Sequence, residues 1–234
     1  MIEDDRVIVH DDVINMLPRL TQKSVEYINS RAASEQPFFL YLPLGSPHTP
    51  IVPIPKWQRR SGLGDYGDFV MQTDHVVGEI FEALEHHQLL EDRLIIFTSD
   101  NGTSRAAKLN QLAAKGHLAT AHLRGSKADI WDGGHRIPFI VRWPGQVAAG
   151  SQSSQLICLT DLFATVAEIH GADIPSRSCE DSVSFFPALS GNPIPTTRSG
   201  VIHHSSSGHF AYRQDRWKLI LARSFGGLVI TQRE

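Results

Sequence analysis

The chain has 234 residues, 41% hydrophobic and 20% charged, a globular balance that excludes extended disorder. Its 22 basic and 25 acidic residues leave a net charge of −3, so there is no basic footprint for nucleic acid or an anionic membrane. No apolar run approaches the ~20 residues of a bilayer span, and the only cysteines, Cys158 and Cys179, exclude a disulfide-dense scaffold or a cysteine-based zinc cluster.

Met1–Arg6 has neither a basic start nor an apolar stretch and does not read as a secretory signal. Thr21 is expected to cap a helix running to about Ala32, with Val25, Ile28 and Ala32 on one face. Phe38–Leu42 is an apolar run between Pro37 and Pro43, the pattern of a buried strand. Pro43, Pro47, Pro50, Pro53 and Pro55 then define a loop that is neither helix nor interior strand. The strongest helix is expected over Asp68–His86, where Phe69, Thr73, Val76, Val77, Ile80, Phe81 and Leu84 recur at helical spacing.

Leu94–Thr98 reads as a second buried strand, stopped by the turn formers Ser99-Asp100-Asn101-Gly102. Residues 102–135 carry no long periodicity and read as mostly loop. Ile137–Trp143 is a third strand, closed by Pro144-Gly145. Thr160 is expected to cap a helix with Leu162, Phe163, Val166 and Ile169 on its apolar face and Gly171 at its C-terminal cap. The texture then changes to short segments. Residues 200–204, 209–213 and 217–221 are expected to form an antiparallel meander. The expectation is an α/β body over residues 1–171 and a small β-rich subdomain over 172–234.

Polar clusters follow the expected strands, where α/β sheets bind ligands. In Ser46-Pro47-His48-Thr49-Pro50, flanking prolines stiffen the backbone around His48, an acid–base group near neutral pH. Alone, it better fits a surface histidine between turn prolines. Asp100-Asn101 offers a carboxylate and an amide oxygen side by side, donors suited to Ca²⁺ or Mg²⁺, though an Asx turn is the commoner use of such a pair. Asn101-Gly102-Thr103 also fits a glycosylation sequon, a use hard to combine with metal binding. Lys127, in Leu123-Arg124-Gly125-Ser126-Lys127, is a point charge able to reach an oxyanion, though an ordinary solvated lysine is by far the commoner case. In Trp131-Asp132-Gly133-Gly134-His135 the glycines allow a tight turn, and nothing chemical singles out His135 as catalytic.

The ordered set is more specific than any member. Ser-Pro-His-x-Pro, then Ser-Asp-Asn-Gly, Arg-Gly-Ser-Lys and Gly-Gly-His-Arg-x-Pro-Phe-x-x-Arg-Trp-Pro-Gly closely resembles the later part of arylsulfatase-type sulfatases, within the alkaline-phosphatase-like superfamily. The resemblance runs from about Pro37 to Leu221. It implies a partial alkaline-phosphatase-like α/β sandwich followed by the small antiparallel subdomain. It further implies that Asp100 and Asn101 are calcium ligands, with Mg²⁺ the less favoured ion. His48 would meet the leaving oxygen of the sulfate ester, and Lys127 would neutralise sulfate oxygens. The substrate would be a sulfated small molecule or carbohydrate, and the complete enzyme periplasmic or extracellular. Oligomeric state is left open.

The family's formylglycine nucleophile arises from Cys or Ser in Cys/Ser-x-Pro-x-Arg. Pro175-Ser176-Arg177 has Asp173 at the nucleophile position, and neither Cys158 nor Cys179 fits. No apolar strand precedes Asp4-Asp5 or Asp11-Asp12, the candidate counterparts of the family's first metal-binding pair. The resemblance is therefore to a sulfatase entered partway, expected to be inactive alone. A phosphatase or phosphonate hydrolase of the same superfamily, or a non-catalytic fragment, stays open.

Overall fold

The computed structural model describes residues 2–3, 6–7, 12–194 and 198–222. Asp4-Asp5, Asp11 and the segment after Ala222 lie outside the described residues. The chain forms two compact units, one of residues 1–92 and 106–119, the other of residues 93–105 and 120–234.

In the first unit, β1 (Ile2–Glu3) and β2 (Arg6–Val7) pair antiparallel. A 3₁₀ turn over Val13–Asn15 leads into α1 (Met16–Arg31). This helix starts a turn earlier than expected because Pro18 stands in its first turn, where amide protons have no intrahelical partner and proline costs little. Thr21 is therefore not the cap. It lies inside the helix, where its Oγ1 donates to the Leu17 carbonyl at 2.8 Å. Leu17, Thr21, Ser24 and Ile28 form the buried face.

α2 (Asp65–His86) carries the strongest periodicity and packs on α1. Leu17, Phe69 and Val76 make the core cluster, with Leu44 and Ile51 packed against it. Phe38–Leu42 departs from expectation. It makes no strand ladder among the described residues, and its exposure alternates, with Phe39 79% and Tyr41 75% exposed. The alternation is that of a strand; the burial is absent because no neighbour covers the Phe39–Tyr41 side among the described residues. Residues 102–135 hold short helices as well as loop. Among them α3 (Leu109–Ala114) buries Leu112 in this unit.

In the second unit, β3 (Ile95–Thr98) and β4 (Phe139–Arg142) pair antiparallel, with Phe97 opposite Ile140. Both strands are shorter than the apolar runs suggest. They are not fully buried either, since Phe97 is 39% and Ile140 60% exposed. The one-turn helix α4 (Asp132–His135) precedes β4.

α5 (Asp161–His170) ends at Gly171 in a left-handed conformation, as expected. Its buried face is different: Asp161, Ala164 and Thr165 are buried while Phe163 is 52% exposed. Thr160 makes no side-chain cap bond; the Asp161 carboxylate instead accepts the amide protons of Cys158 (2.8 Å) and Val183 (3.0 Å). Arg198 closes this site with paired 2.8 Å bonds to both Asp161 oxygens. Four hydrogen-bond donors explain why a polar group, not Phe163, occupies the inner face. α6 (Phe186–Leu189) follows.

The meander is as expected. β5 (Val201–His204), β6 (Phe210–Gln214) and β7 (Trp217–Ile220) form a sheet in that order, antiparallel throughout. Gln214 pairs with Trp217 around a two-residue turn whose first residue, Asp215, has φ 47°.

Candidate active site

The site builds from the end of β3. Thr98 Oγ1 donates to the Pro138 carbonyl at 2.9 Å, tying the strand end to β4. Ser99 Oγ then donates to the Asn101 carbonyl (3.0 Å), and Asn101 Nδ2 to the Gly102 carbonyl (3.2 Å). The Asn101 amide is thereby held by its nitrogen, and its oxygen is the end suited to a cation. Asp100 is exposed and Asn101 half-buried.

Three of the four sequence clusters meet in one backbone knot. The Gly102 amide donates to the Gly134 carbonyl (3.0 Å), the Gly133 amide to the Arg124 carbonyl (2.8 Å) and the Lys127 amide to the Thr103 carbonyl (2.9 Å). The approach is too close for a side chain. A Cβ on Gly102 would stand 1.8 Å from the Gly133 oxygen, and one on Gly133 would stand 2.2 Å from the Gly125 oxygen. The sequence suggested a tight turn for these glycines; their use is backbone-to-backbone packing between segments distant in sequence.

Asp129 and Asp132 buttress the knot, a role unmarked in the sequence. Asp129 is buried and accepts the Ser126 amide proton and an Arg105 N–H, each at 2.9 Å. Asp132 accepts from Arg213 of β6 and Lys218 of β7, each at 2.9 Å. Burial pushes the Asp132 carboxyl up, but the Lys218 and Arg213 bonds and charges outweigh it, so it lies below the usual carboxylate range.

Next to this clamp the rings of His135 and His203 meet at a 50° tilt with centroids 4.3 Å apart. Each Nε2 is buried without a hydrogen-bond partner, so the bonds to the Asp129 and Ile130 main chain run through Nδ1. A carbonyl only accepts, so Nδ1 carries the proton in both rings. Burial, reinforced by the Lys218 charge, lowers both basicities, that of His203 to about 4, and keeps the pair neutral.

His48 lies in the first unit, exposed, with Nδ1 donating to the Thr49 carbonyl at 2.8 Å. Its Nε2 is then the nitrogen available for proton exchange. The same unit holds a carboxylate the sequence reading missed. Buried Asp68 accepts the amide protons of Arg59 (2.7 Å), Arg60 (3.0 Å) and Ser61 (2.7 Å), fixing the loop that follows the proline-rich segment. Burial raises its pKa, but the Ser61 amide and hydroxyl and the Arg59 and Arg60 amides together prevail and hold it below the ordinary value. A hydrophilic residue at the start of an amphipathic helix was the available signal, shared with many ordinary first-turn acids.

No group of three His, Cys, Asp or Glu side chains converges on a metal position among the described residues. Asp100 and Asn101 fit a hard cation in kind, supplying two of the six to eight oxygens that Ca²⁺ takes. Among the described residues no helix is long and apolar enough to cross a membrane.

An α/β scaffold with a polar, glycine-knotted loop beyond a strand end defines the class: the alkaline-phosphatase-like fold, shared with solved sulfatase structures. The sulfatase family model matches residues 18–172, and the chain belongs to the sulfatase family. It is 34% identical over 204 residues to the N-acetylgalactosamine-6-O-sulfatase of Bacteroides thetaiotaomicron, covering 86% of this chain and 39% of that protein. To human steryl-sulfatase it is 32% identical over 196 residues, 82% of this chain and 33% of the relative. A solved 6S-sulfatase from a Bacteroides thetaiotaomicron glycosaminoglycan-metabolism locus superposes with TM-score 0.79 at 32% identity, covering 90% of this chain and 44% of that one. Ps i-CgsB, solved with k-i-k-neocarrahexaose, gives TM-score 0.73 at 27% identity, covering 89% of this chain and 46% of that one. The chain thus spans about two fifths of the length of these relatives.

Proposed function

We propose that this chain is part of a sulfuric ester hydrolase acting on a sulfated carbohydrate. The carrying observation is the knot that binds the Asp100-Asn101 loop to the backbone of Lys127 in a member of the sulfatase family. The amino-sugar sulfatase among the relatives supports the carbohydrate class.

Hydrolysis at sulfur loads negative charge on the sulfate oxygens and on the leaving oxygen. Groups fixed where that charge grows stabilise the transition state more than the ground state. In this reading Lys127 neutralises a sulfate oxygen, and the stiff mount of His48 lets Nε2 protonate or hydrogen-bond the leaving oxygen. Asp100 and Asn101 would hold a divalent cation, with Ca²⁺ favoured over Mg²⁺ by the family resemblance, and when bound it would supply Lewis-acid stabilisation of sulfate charge. His48 and Lys127 are proposed to serve one reaction centre.

No residue of this chain matches the family's nucleophile motif, so the chain alone is expected to show no aryl sulfate turnover with added Ca²⁺. The check is a side-by-side assay with a chain extended upstream in its reading frame and co-expressed with the formylglycine-forming enzyme. Turnover only by the extended chain supports the reading. Turnover by the short chain, abolished by His48→Ala, overturns the need for an upstream nucleophile. Aryl phosphate hydrolysis without aryl sulfate hydrolysis points to a phosphatase of the same superfamily.

A further inference from the structure

The C-terminal meander does more than pack on the body of its unit. Its bonds fall in sequence order on the segment that carries the glycine knot. The Ser206 amide, just after β5, donates to the Ala128 carbonyl at 3.1 Å. His203 of β5 bonds the Ile130 main chain, and Lys218 of β7 donates to the same Ile130 carbonyl. Lys218 and Arg213 then take the two oxygens of Asp132 separately, Oδ1 and Oδ2. Beyond Asp132 come Gly133 and Gly134, whose backbones lie against Gly102 and so against the Asp100-Asn101 turn. At the other end lies Lys127, whose amide is bonded to Thr103.

Every second position from Ala128 to Asp132 is thus held by the meander, and the residues flanking that held segment are Lys127 and the Gly133–Gly134 pair. The clamp at Asp132 is charge-assisted and bidentate in effect, with one cation per oxygen, so it fixes the carboxylate's orientation as well as its position. Asp132 and Lys218 are both partly shielded from water, where such bonds are screened least. His135 and His203, neutral and in ring contact, fill the space beside it without adding a third positive charge next to Lys218 and Arg213.

We propose that Arg213 and Lys218, acting through Asp132, are positioning residues that set the geometry of the Asp100-Asn101 turn and of Lys127. The inference rests on the proposed roles of those three residues in sulfate ester hydrolysis. A sub-ångström drift of the Gly133–Gly134 backbone is transmitted to Gly102, because the separation there admits no methyl group and no slack.

Amide hydrogen exchange on this chain tests the mechanical half without requiring activity. With Lys218→Ala, and with Arg213→Ala, the Gly102, Gly133 and Lys127 amides should exchange about tenfold faster, as loss of a charge-assisted bond predicts. Lys218→Arg, which keeps a donor to Asp132, should restore protection. The amides of α5, in the same unit but outside the clamp, should not change. Unaltered exchange at Gly102 and Lys127 overturns the proposal. So does equal acceleration throughout α5, which would mark a general stability role. In the upstream-extended enzyme, the same Lys218→Ala change should lower kcat and raise the Ca²⁺ concentration for half-maximal activity, with Lys218→Arg restoring both. Loosened amides with unchanged kcat and Ca²⁺ dependence overturn the positioning role. Loosened amides in a protein that hydrolyses no sulfate ester in any form instead remove the sulfatase reading, leaving the mechanical coupling standing.

Discussion

Gly102 shows how one residue fixes a site. Its hydrogen atom faces the Gly133 carbonyl, and a Cβ there would stand 1.8 Å from that oxygen, so Gly102→Ala must push two backbones apart. Backbone cannot rotate away as a side chain can, so the expected cost is about 1–3 kcal/mol or more, read as a lower urea midpoint. The buried pair Asp161–Arg198 is the second residue-scale lever. Arg198→Ala leaves a fully buried carboxylate with two backbone donors and no countercharge, and should destabilise by about 3–5 kcal/mol. Burial raises the Asp161 pKa, but the Arg198, Val183 and Cys158 bonds overcome it, so the folded value lies below that of the unfolded chain. Between those values the unfolded state binds more protons. The Asp161 contribution is therefore present above about pH 3.9 and lost as pH falls through the depressed folded value. Urea melts from pH 7 down to pH 2 should show the acid-side loss in the native protein and a smaller one in Asp161→Asn.

At the scale of elements, helices were legible and strands only in part. The α2 periodicity needed just one buried side, which α1 provides, so Phe69 and Val76 land where the pattern puts them. Apolar runs such as Phe38–Leu42 and Leu94–Thr98 record a preference for extended backbone, but burial depends on what lies above and below the strand. The outward pair Phe97–Ile140 in the β3–β4 ribbon follows from this. Exposed cross-strand apolar pairs promote self-association. Ile140→Thr, which keeps β-propensity, should reduce light scattering by this chain at high concentration while leaving its far-ultraviolet circular dichroism unchanged. The meander was legible for the opposite reason: its register is set by short turns such as Asp215-Arg216, which are local.

At the scale of the whole molecule, the proposed chemistry asks His48 and Lys127 to act on one sulfate ester. Kinetics in the upstream-extended enzyme can read this coupling. His48→Ala and Lys127→Ala should each lower kcat/KM by about 10²–10³-fold. If both act on one transition state, the double variant should lose less than the product of the two. Strictly multiplicative losses would argue that the two residues act independently.

The sequence by itself determined the α/β class, the helices α2 and α5, the terminal meander, and the ordered motifs that mark a sulfatase. These depend on local periodicity, turn chemistry and residue order, all carried by near neighbours in the chain. It also named Asp100, Asn101, Lys127 and His48 as candidates, because oxygen donors and cations after strand ends are chemically conspicuous. Tertiary structure alone decided that Gly102, Gly125 and Gly133 are an interlocked knot rather than separate turns. It alone made Asp68, Asp132 and Asp161 internal anchors rather than surface acids. A carboxylate's role is set by the donors that surround it, and those donors come from positions as distant as Lys218 is from Asp132. No local pattern encodes that pairing, since it exists only once the backbone has brought the partners together.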